Sequence, residues 1–532
     1  MADGVTFVGK RVICDDFIGT VKYFGVVPPT QGEWLGVEWD DEKRGKHDGT
    51  LDGVSYFVCS HPKSGSFVRL KKVNFGVSVI DALKQRYGVK HDTVQDMYVV
   101  DANNKKTAVE MVGVNDVHKV QSCFEKLVEV GLREQLVNGP DKDVSLSSVA
   151  PNIVQLDISR NLIASWDDLA KVIKDLNKLK TLNVSENQLT LPTDHSLLKS
   201  SFCMIKELYL NRMNLSWTEV LMIMTMFPDL EDLHVCYNAI DSLRLNNDEE
   251  NSNQCLLNQK IVTLNLEGNL ISNWSDITLL GNLTRLKTLI LNDNKLIDVI
   301  FDDDTGSNKT NLFPSLTSLS FSRNSIKDIT SVNALNKLVD LVELRFKDNP
   351  VFKGETGFSI RQELIARISS VKTVNGSPVT EKERLAAERA YIKKYAKDWF
   401  DAGGKVDNYD ANKLTTEFVE KHPRYAELAR VHGIPDSEVH QKTAATLKES
   451  LIALTFKCPD DSSKKVLTKK LPGTMTIGKL KGLLYRLYKV DSADQKLSYL
   501  DTKNDREIQL DDDLRSLSFY SVVQGDTLYV RW

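Results

Sequence analysis

The chain has 532 residues, 41% of them apolar, with 69 Lys and Arg against 73 Asp and Glu for a net charge of -4. That length and apolar share predict several domains with real cores, and the near-neutral balance argues against a general nucleic-acid binder, which carries a basic face and a high isoelectric point. No run approaches the roughly 18 consecutive apolar residues of a membrane span, and Met1-Ala2-Asp3-Gly4 does not open a basic-then-apolar leader, so a soluble, intracellular protein with neither membrane nor nucleic-acid partners is expected.

Residues 1–75 are dense in glycine, and the short apolar runs Val5 to Val8, Leu35 to Trp39 and Tyr56 to Cys59 predict strands of a small, turn-rich β module. The loop Gly45-Lys46-His47-Asp48-Gly49 is its candidate binding element. Glycines let a backbone approach a ligand closely and adopt positive φ. Trp34 and Phe67 can form an aromatic slot for a terminal ring. Lys46, beside Lys43 and Arg44, can meet a carboxylate through a charge-assisted bond. Together these suit a peptide ending in acidic residues plus an aromatic, its free carboxylate captured by the module. His47 either donates one hydrogen bond to such a ligand or only shapes the loop. Protonated, it would favour an acidic tail, so binding is expected to strengthen as pH falls.

Residues 76–150 read as a connector and the N-terminal cap of a repeat array. Leu156-Asp-Ile158-Ser-Arg-Asn161 starts the repeated pattern, which recurs through Leu182 to Asn187, Leu208 to Met213, Leu233 to Asn238, Leu264 to Asn269, Leu289 to Asn294, Leu319 to Asn324 and Leu344 to Asn349. Asparagines are 26 residues apart from Asn161 to Asn187 and 25 from Asn269 to Asn294. Apolar residues two apart share one face of a short strand, and the asparagine amide can satisfy backbone groups where the chain turns inward. Each unit buries its leucines only against its neighbours, which predicts a solenoid over 151–376. Two longer gaps place surface loops at Asn246 to Gln254 and Asp302 to Thr310, the latter with an acidic run that is either a partner patch or a solvated loop. Met213 stands where an asparagine belongs, so either that turn is irregular or the ladder lacks one bond. Ile360, Leu364, Ile365 and Ile368 predict a capping helix, closed by Val371 to Gly376.

Thr380 followed by Glu383 is a capping box that predicts a helix from Glu381 to about Phe400, and a second helical run goes from Lys413 to about Val431. Residues 377–448 therefore read as a helical connector with a solvated charged face. Flexible linkers are expected near 76–90 and 377–448. In residues 449–532, strands at 451–456, 467–472, 496–500 and 527–532 surround a helix from about Ile477 to Tyr488, with Leu480, Leu483, Leu484 and Leu487 at helical spacing.

Seven scattered cysteines lack metal-ligand spacing and predict free thiols in a reducing compartment, with no bound metal. No phosphate loop, serine elbow or His-Glu-x-x-His is present, and the nine histidines are scattered, so no catalytic residues and no cofactor are expected.

Five ordered segments of the first module resemble the CAP-Gly domain: Gly19 to Gly25, Trp34 to Asp40, the Gly45 to Gly49 loop, Tyr56 to Cys59 and Gly65 to Val68. The resemblance implies binding of Glu-Glu-Tyr tails such as that of α-tubulin, with His47 replacing the asparagine usual in the loop. The repeats resemble leucine-rich repeats. The last unit resembles ubiquitin-like (β-grasp) domains, without a terminal Gly-Gly, so it is expected to dock to proteasome receptors or a partner chaperone rather than be conjugated. The multidomain order of all-β module, α/β solenoid, helical connector and α+β domain resembles the tubulin-specific chaperone E (tubulin-folding cofactor E) family. That resemblance implies a cytoplasmic, cytoskeleton-associated chaperone, not an enzyme, which works with other tubulin-folding cofactors to assemble and take apart α/β-tubulin dimers. A microtubule-end adaptor and a ubiquitin-pathway shuttle are the alternatives. The first is disfavoured because no sustained heptads offer a dimer.

Overall fold

The computed structural model describes residues 7–88, 98–100, 106–108, 123–244, 260–301, 309–406, 409–410, 413–434, 451–461, 463–501 and 506–532. It forms two compact units, Met1–Tyr391 with Thr416–Tyr425, and Ile392–Thr415 with Ala426–Trp532.

The first module is an antiparallel sheet in the order Arg11–Cys14, Phe17–Val26, Glu33–Trp39, Gly65–Val68. Val12, Val21, Leu35, Val37 and Trp39 are buried on one face, as the alternation of a half-buried strand requires. Two expected strands differ. Phe7 and Val8 lie outside any strand, Val5 falls outside the described residues, and Tyr56 to Cys59 is an extended loop after the short Val54–Ser55 strand. There the backbone serves a neighbouring loop instead of the sheet: Tyr56 and Cys59 donate their N–H groups to the carbonyls of Gly49 and Asp48 at 3.1 Å each.

The solenoid sheet runs parallel from Glu129–Gly131 to Thr373–Val374 and closes on the antiparallel Ser377–Pro378. Register aligns Val130, Leu156, Leu182, Leu208, Leu233, Leu264, Leu289, Leu319, Leu344 and Val374 in one buried row. Asparagines stitch the turns. The Oδ1 of Asn187 accepts the Asn161 N–H at 2.8 Å, and that of Asn269 accepts the Asn238 N–H at 3.0 Å. Each amide also donates to carbonyls of its own and the preceding repeat, as Asn238 does to Cys236 and Leu210. At Met213 the turn keeps its shape: the Asn238 Oδ1 accepts the Met213 N–H at 2.9 Å, while the Met213 side chain is buried in the core. The ladder instead lacks the acceptor that would receive the Asn187 N–H. The two predicted loops lie outside the described residues except for Lys309 and Thr310.

Both expected linkers are packed where they adjoin the solenoid. Ser78 caps the Val79–Tyr87 helix by accepting the Asp81 N–H, and Val79, Ile80, Ala82 and Leu83 enter the solenoid core. At the other end the Thr380 hydroxyl accepts the Glu383 N–H at 3.1 Å at the start of the Glu381–Asp401 helix. The second helical run is two helices, Thr416–Lys421 and Tyr425–His432. Pro423 separates them, because a proline disfavours helix at the residue before it and has no N–H to give. The charges here are not all solvated. Arg367 is buried against Glu363 at 2.9 Å and donates to the Lys421 carbonyl at 2.7 Å and the Asn333 Oδ1 at 2.9 Å. Asn333 donates to the carbonyls of Glu420 and Lys421, Arg424 to that of Ala366, and Tyr391 meets His422 at 2.8 Å. These bonds tie the 416–425 segment to the solenoid cap.

In the second unit, five strands order as Leu467–Pro472, Leu451–Lys457, Thr527–Arg531, Lys496–Asp501, Arg506–Gln509, with the Ile477–Tyr488 helix packed on them. Arg506–Gln509, which the sequence pattern did not mark, pairs as a short hairpin arm with Lys496–Asp501. Among the described residues no helix is long and apolar enough to cross a membrane.

Candidate functional site

The face of the first sheet opposite its core carries Tyr23, Trp34, Gly36 and Phe67. Register sets Tyr23 and Phe67 on either side of Gly36, and Trp34 opposite Gly25. Gly36 leaves the space that the rings occupy: a Cβ there would stand 2.4 Å from the Phe57 ring and 2.9 Å from Tyr23. Phe67 is the hub. Its ring lies 5.0 Å from His47, 5.3 Å from Tyr56, 5.5 Å from Phe57 and 6.2 Å from Tyr23. Three of these contacts are edge-on, the favoured geometry for aromatic pairs.

Trp34 belongs to the same face but not to this cluster. Arg69 stacks on its ring at 3.7 Å and is held by the carbonyls of Gln31 and Glu33. The indole N–H donates to the Thr30 hydroxyl at 2.7 Å. Trp34 and Phe67 are both half-buried on this face, and the space over Gly36 is filled by Phe57 and Tyr23.

The glycine loop is fixed by its backbone. The N–H groups of Lys46 and His47 both donate to the Gly65 carbonyl, at 2.7 and 3.2 Å, and the Gly65 N–H returns to the His47 carbonyl at 2.7 Å. Gly45 sits where a Cβ would come within 2.4 Å of the Ser64 carbonyl carbon. Gly49 has φ of 101°, and a Cβ there would meet the Phe57 carbonyl oxygen at 2.0 Å. Only glycine fits both the angle and the space. Asp48 turns its carboxylate back to accept the Thr50 N–H at 3.0 Å, which holds its carboxyl below the usual range.

The Lys46 side chain is exposed beside this frame, with no carboxylate partner among the described residues. Arg44, expected to work beside it, is committed elsewhere: it pairs with Asp15 at 3.2 Å and stacks on Phe17 and Trp39. The His47 Nδ1 accepts the Gly49 N–H at 3.0 Å, so the ring is neutral with its proton on Nε2. Burial holds its pKa below the ordinary value, and Lys46 adds to that against the opposing pull of Asp48. The expected gain from a protonated His47 is thus opposed by the geometry, since a protonated Nδ1 cannot accept that bond.

Tyr23, Tyr56, Phe57 and Arg69 belong to the site but were not singled out from the sequence. The signal available for Tyr23 was its place in the Gly19 to Gly25 segment. For Tyr56 and Phe57 it was their place in the Tyr56 to Cys59 segment. Arg69 gave none.

The geometry offers an exposed cation, Lys46, on a loop whose His47 packs on Phe67, which suits a short anionic peptide with an aromatic end. Three family profiles match the chain: the CAP-Gly domain over residues 8–73, the leucine-rich repeat over 255–401 and the ubiquitin-like domain over 452–531. Tubulin-specific chaperone E of Xenopus laevis is 41% identical, the match covering 98% of each chain. The Homo sapiens protein of that name is 39% identical over 100% of both. The solution structure of the C-terminal ubiquitin-like domain of mouse tubulin-specific chaperone e is 48% identical, covering 16% of this chain and 87% of that one, with a TM-score of 0.15.

Proposed function

This chain belongs to the tubulin-specific chaperone E family, and from that membership we propose that it is a tubulin-folding cofactor that holds α-tubulin by the acidic C-terminal tail. The observation that carries the reading is the exposed Lys46 on a loop that Gly45, Asp48 and Gly49 fix in place and whose His47 packs on Phe67, on the sheet face that also carries Trp34. The tail carboxylates meet Lys46 through charge-assisted bonds. The terminal ring packs on the half-buried Trp34 and Phe67 from outside the Phe57 and Tyr23 rings, and His47 supports the loop. The protein works by binding, not by catalysis, and needs no cofactor.

The solenoid is proposed to contact the tubulin body or another tubulin-folding cofactor. Residues on its strands and in the turns after them support this: Tyr209 and His234 stack at 4.2 Å, and Tyr237 lies under Arg212 at 4.4 Å. Tyr and Arg are enriched where protein interfaces concentrate their energy. With those partners it acts in assembly and disassembly of α/β-tubulin dimers, in the cytoplasm and at the cytoskeleton, and the ubiquitin-like domain contacts the proteasome.

The test is a titration of the purified chain with native tubulin and with tubulin whose α-subunit tail has been trimmed. Weaker binding after trimming, and weaker binding of intact tubulin at higher salt, are expected. Unchanged affinity after trimming sinks the tail-gripping role.

A further inference from the structure

Charge is segregated within the last domain. From Ser463 to Val490 the chain has eight Lys and Arg and no Asp or Glu. The whole chain carries -4, so everything outside this stretch carries -12 against its +8. Lys465, Lys469, Lys470, Lys479, Arg486 and Lys489 are exposed, and among the described residues none of them is paired with a carboxylate.

Three of these cations, Lys469, Lys479 and Arg486, lie along one edge of the domain, while Lys470 alternates to the other face of its strand. Leu467–Pro472 is an edge strand, paired only with Leu451–Lys457 among the described residues. Lys469 has the same parity as Leu467 and Leu471, which face the core, so it points to the helix side of the sheet. On the Ile477–Tyr488 helix, Lys481 pairs at 2.9 Å with Asp513, which follows the opposite edge strand. That leaves the other flank of the helix, with Lys479, Leu483, Arg486 and Leu487, on the side of the Leu467–Pro472 edge. Leu467, Leu483 and Leu487 are only partly buried and give this side an apolar floor.

Lysine on an edge strand commonly serves to prevent sheet-to-sheet association. That accounts for Lys469 and Lys470 but not for Lys479 or Arg486, which stand on a helix. An unpaired strand edge, a half-buried apolar floor and a cationic rim together match an extended acidic segment carrying some apolar residues, bound by strand addition. We propose that the Leu467–Pro472 edge and the adjoining helix flank are a docking groove for such a segment of a partner protein. This site is separate from the glycine-loop pocket and reads neither a free C-terminal carboxylate nor a terminal ring.

The test uses the full chain and a labelled twelve-residue peptide of alternating Glu and Val, amidated at its C-terminus. Fluorescence anisotropy measures its affinity beside that of a free Glu-Glu-Tyr tail peptide. Charge reversal (Lys469→Glu, Lys479→Glu and Arg486→Glu together) is expected to weaken the amidated peptide at least about tenfold, and the neutral Gln triple about threefold. Both variants should leave the Glu-Glu-Tyr peptide unaffected, and amide chemical shifts of the Ile477–Tyr488 helix and its sheet that match the wild-type chain report that the last domain folds. Lys46→Ala should do the reverse. The proposal is overturned if the wild-type chain does not bind the amidated peptide, or if the reversed variant binds it as well. It is also overturned if Lys46→Ala accounts for the loss, or if single-stranded DNA of equal charge competes equally.

Discussion

The imidazole Nδ1 of His47 accepts the backbone N–H of Gly49 at 3.0 Å. This bond makes the neutral ring part of the loop's frame. Because the folded-state pKa lies below the ordinary value of about 6.5, the unfolded chain binds more protons in the window between the two. Stability of the loop is therefore full above the ordinary value and falls as pH drops through it. Tail-peptide affinity should weaken between pH 7.5 and 5.5, and His47→Asn, which keeps an acceptor and cannot titrate, should flatten the profile. An affinity that rises over that range for the wild-type chain contradicts this account.

Lys46 and Lys43 are both exposed cations near the loop, but only Lys46 belongs to the segment clamped to Gly65. Lys46→Ala should cost about 1–3 kcal/mol in tail binding, the range for a lost charged hydrogen bond, while Lys43→Ala changes it by less than about 0.5 kcal/mol. Calorimetric titration with a tail peptide separates the two.

Gly36 makes room for the aromatic cluster without touching any ligand. Gly36→Ala should therefore abolish tail binding by displacing Phe57 and Tyr23, with an overpacking cost of about 1–3 kcal/mol to the module. Near-ultraviolet circular dichroism would register the disturbed rings.

Asn238 and Met213 make a matched pair in the solenoid. Asn238→Ala deprives the Met213 and Leu215 N–H groups of their acceptor and the Leu210 and Cys236 carbonyls of a donor. A loss of more than about 3 kcal/mol is expected from buried polar groups left unsatisfied. Met213→Leu keeps volume and should cost under about 1.5 kcal/mol. Native-state hydrogen exchange at Met213 and Leu215 measures both.

How much the sequence disclosed depended on how local the cause was. The repeats were legible because Leu156, Leu182 and Leu208 recur at a fixed period and each needs only its neighbour. The loop from Gly45 to Gly49 was legible because its glycines and Lys46 are contiguous. The cluster around Phe67 was not, since Tyr23, Tyr56 and Phe57 converge on it from separate segments. The strand Glu129–Gly131 keeps the apolar pair as Val130 and Leu132 but has Gln135 where the asparagine belongs, and Arg506–Gln509 exists by pairing with Lys496–Asp501. Composition also concealed burial: Glu363 and Arg367 look like any exposed helical pair until the segment beyond Thr416 covers them.

Arg367→Ala should accordingly destabilise the solenoid cap by about 3–5 kcal/mol, as removing one member of a buried pair does. It should also open the 416–425 segment to limited proteolysis, because its bond to the Lys421 carbonyl goes with it. Unaltered cleavage there would mean that the remaining contacts suffice.

The contacts of Arg367, Asn333 and Arg424 also govern how this chain can be dissected. A cut placed after Gly376, where the last repeat ends, would strip the cap of Arg384, Tyr391, His422 and Arg424 and expose Leu364 and Ile365 to water. A repeat fragment that behaves well in isolation must extend past Tyr425. The final lid of the solenoid is supplied by residues that lie about fifty positions beyond its last strand.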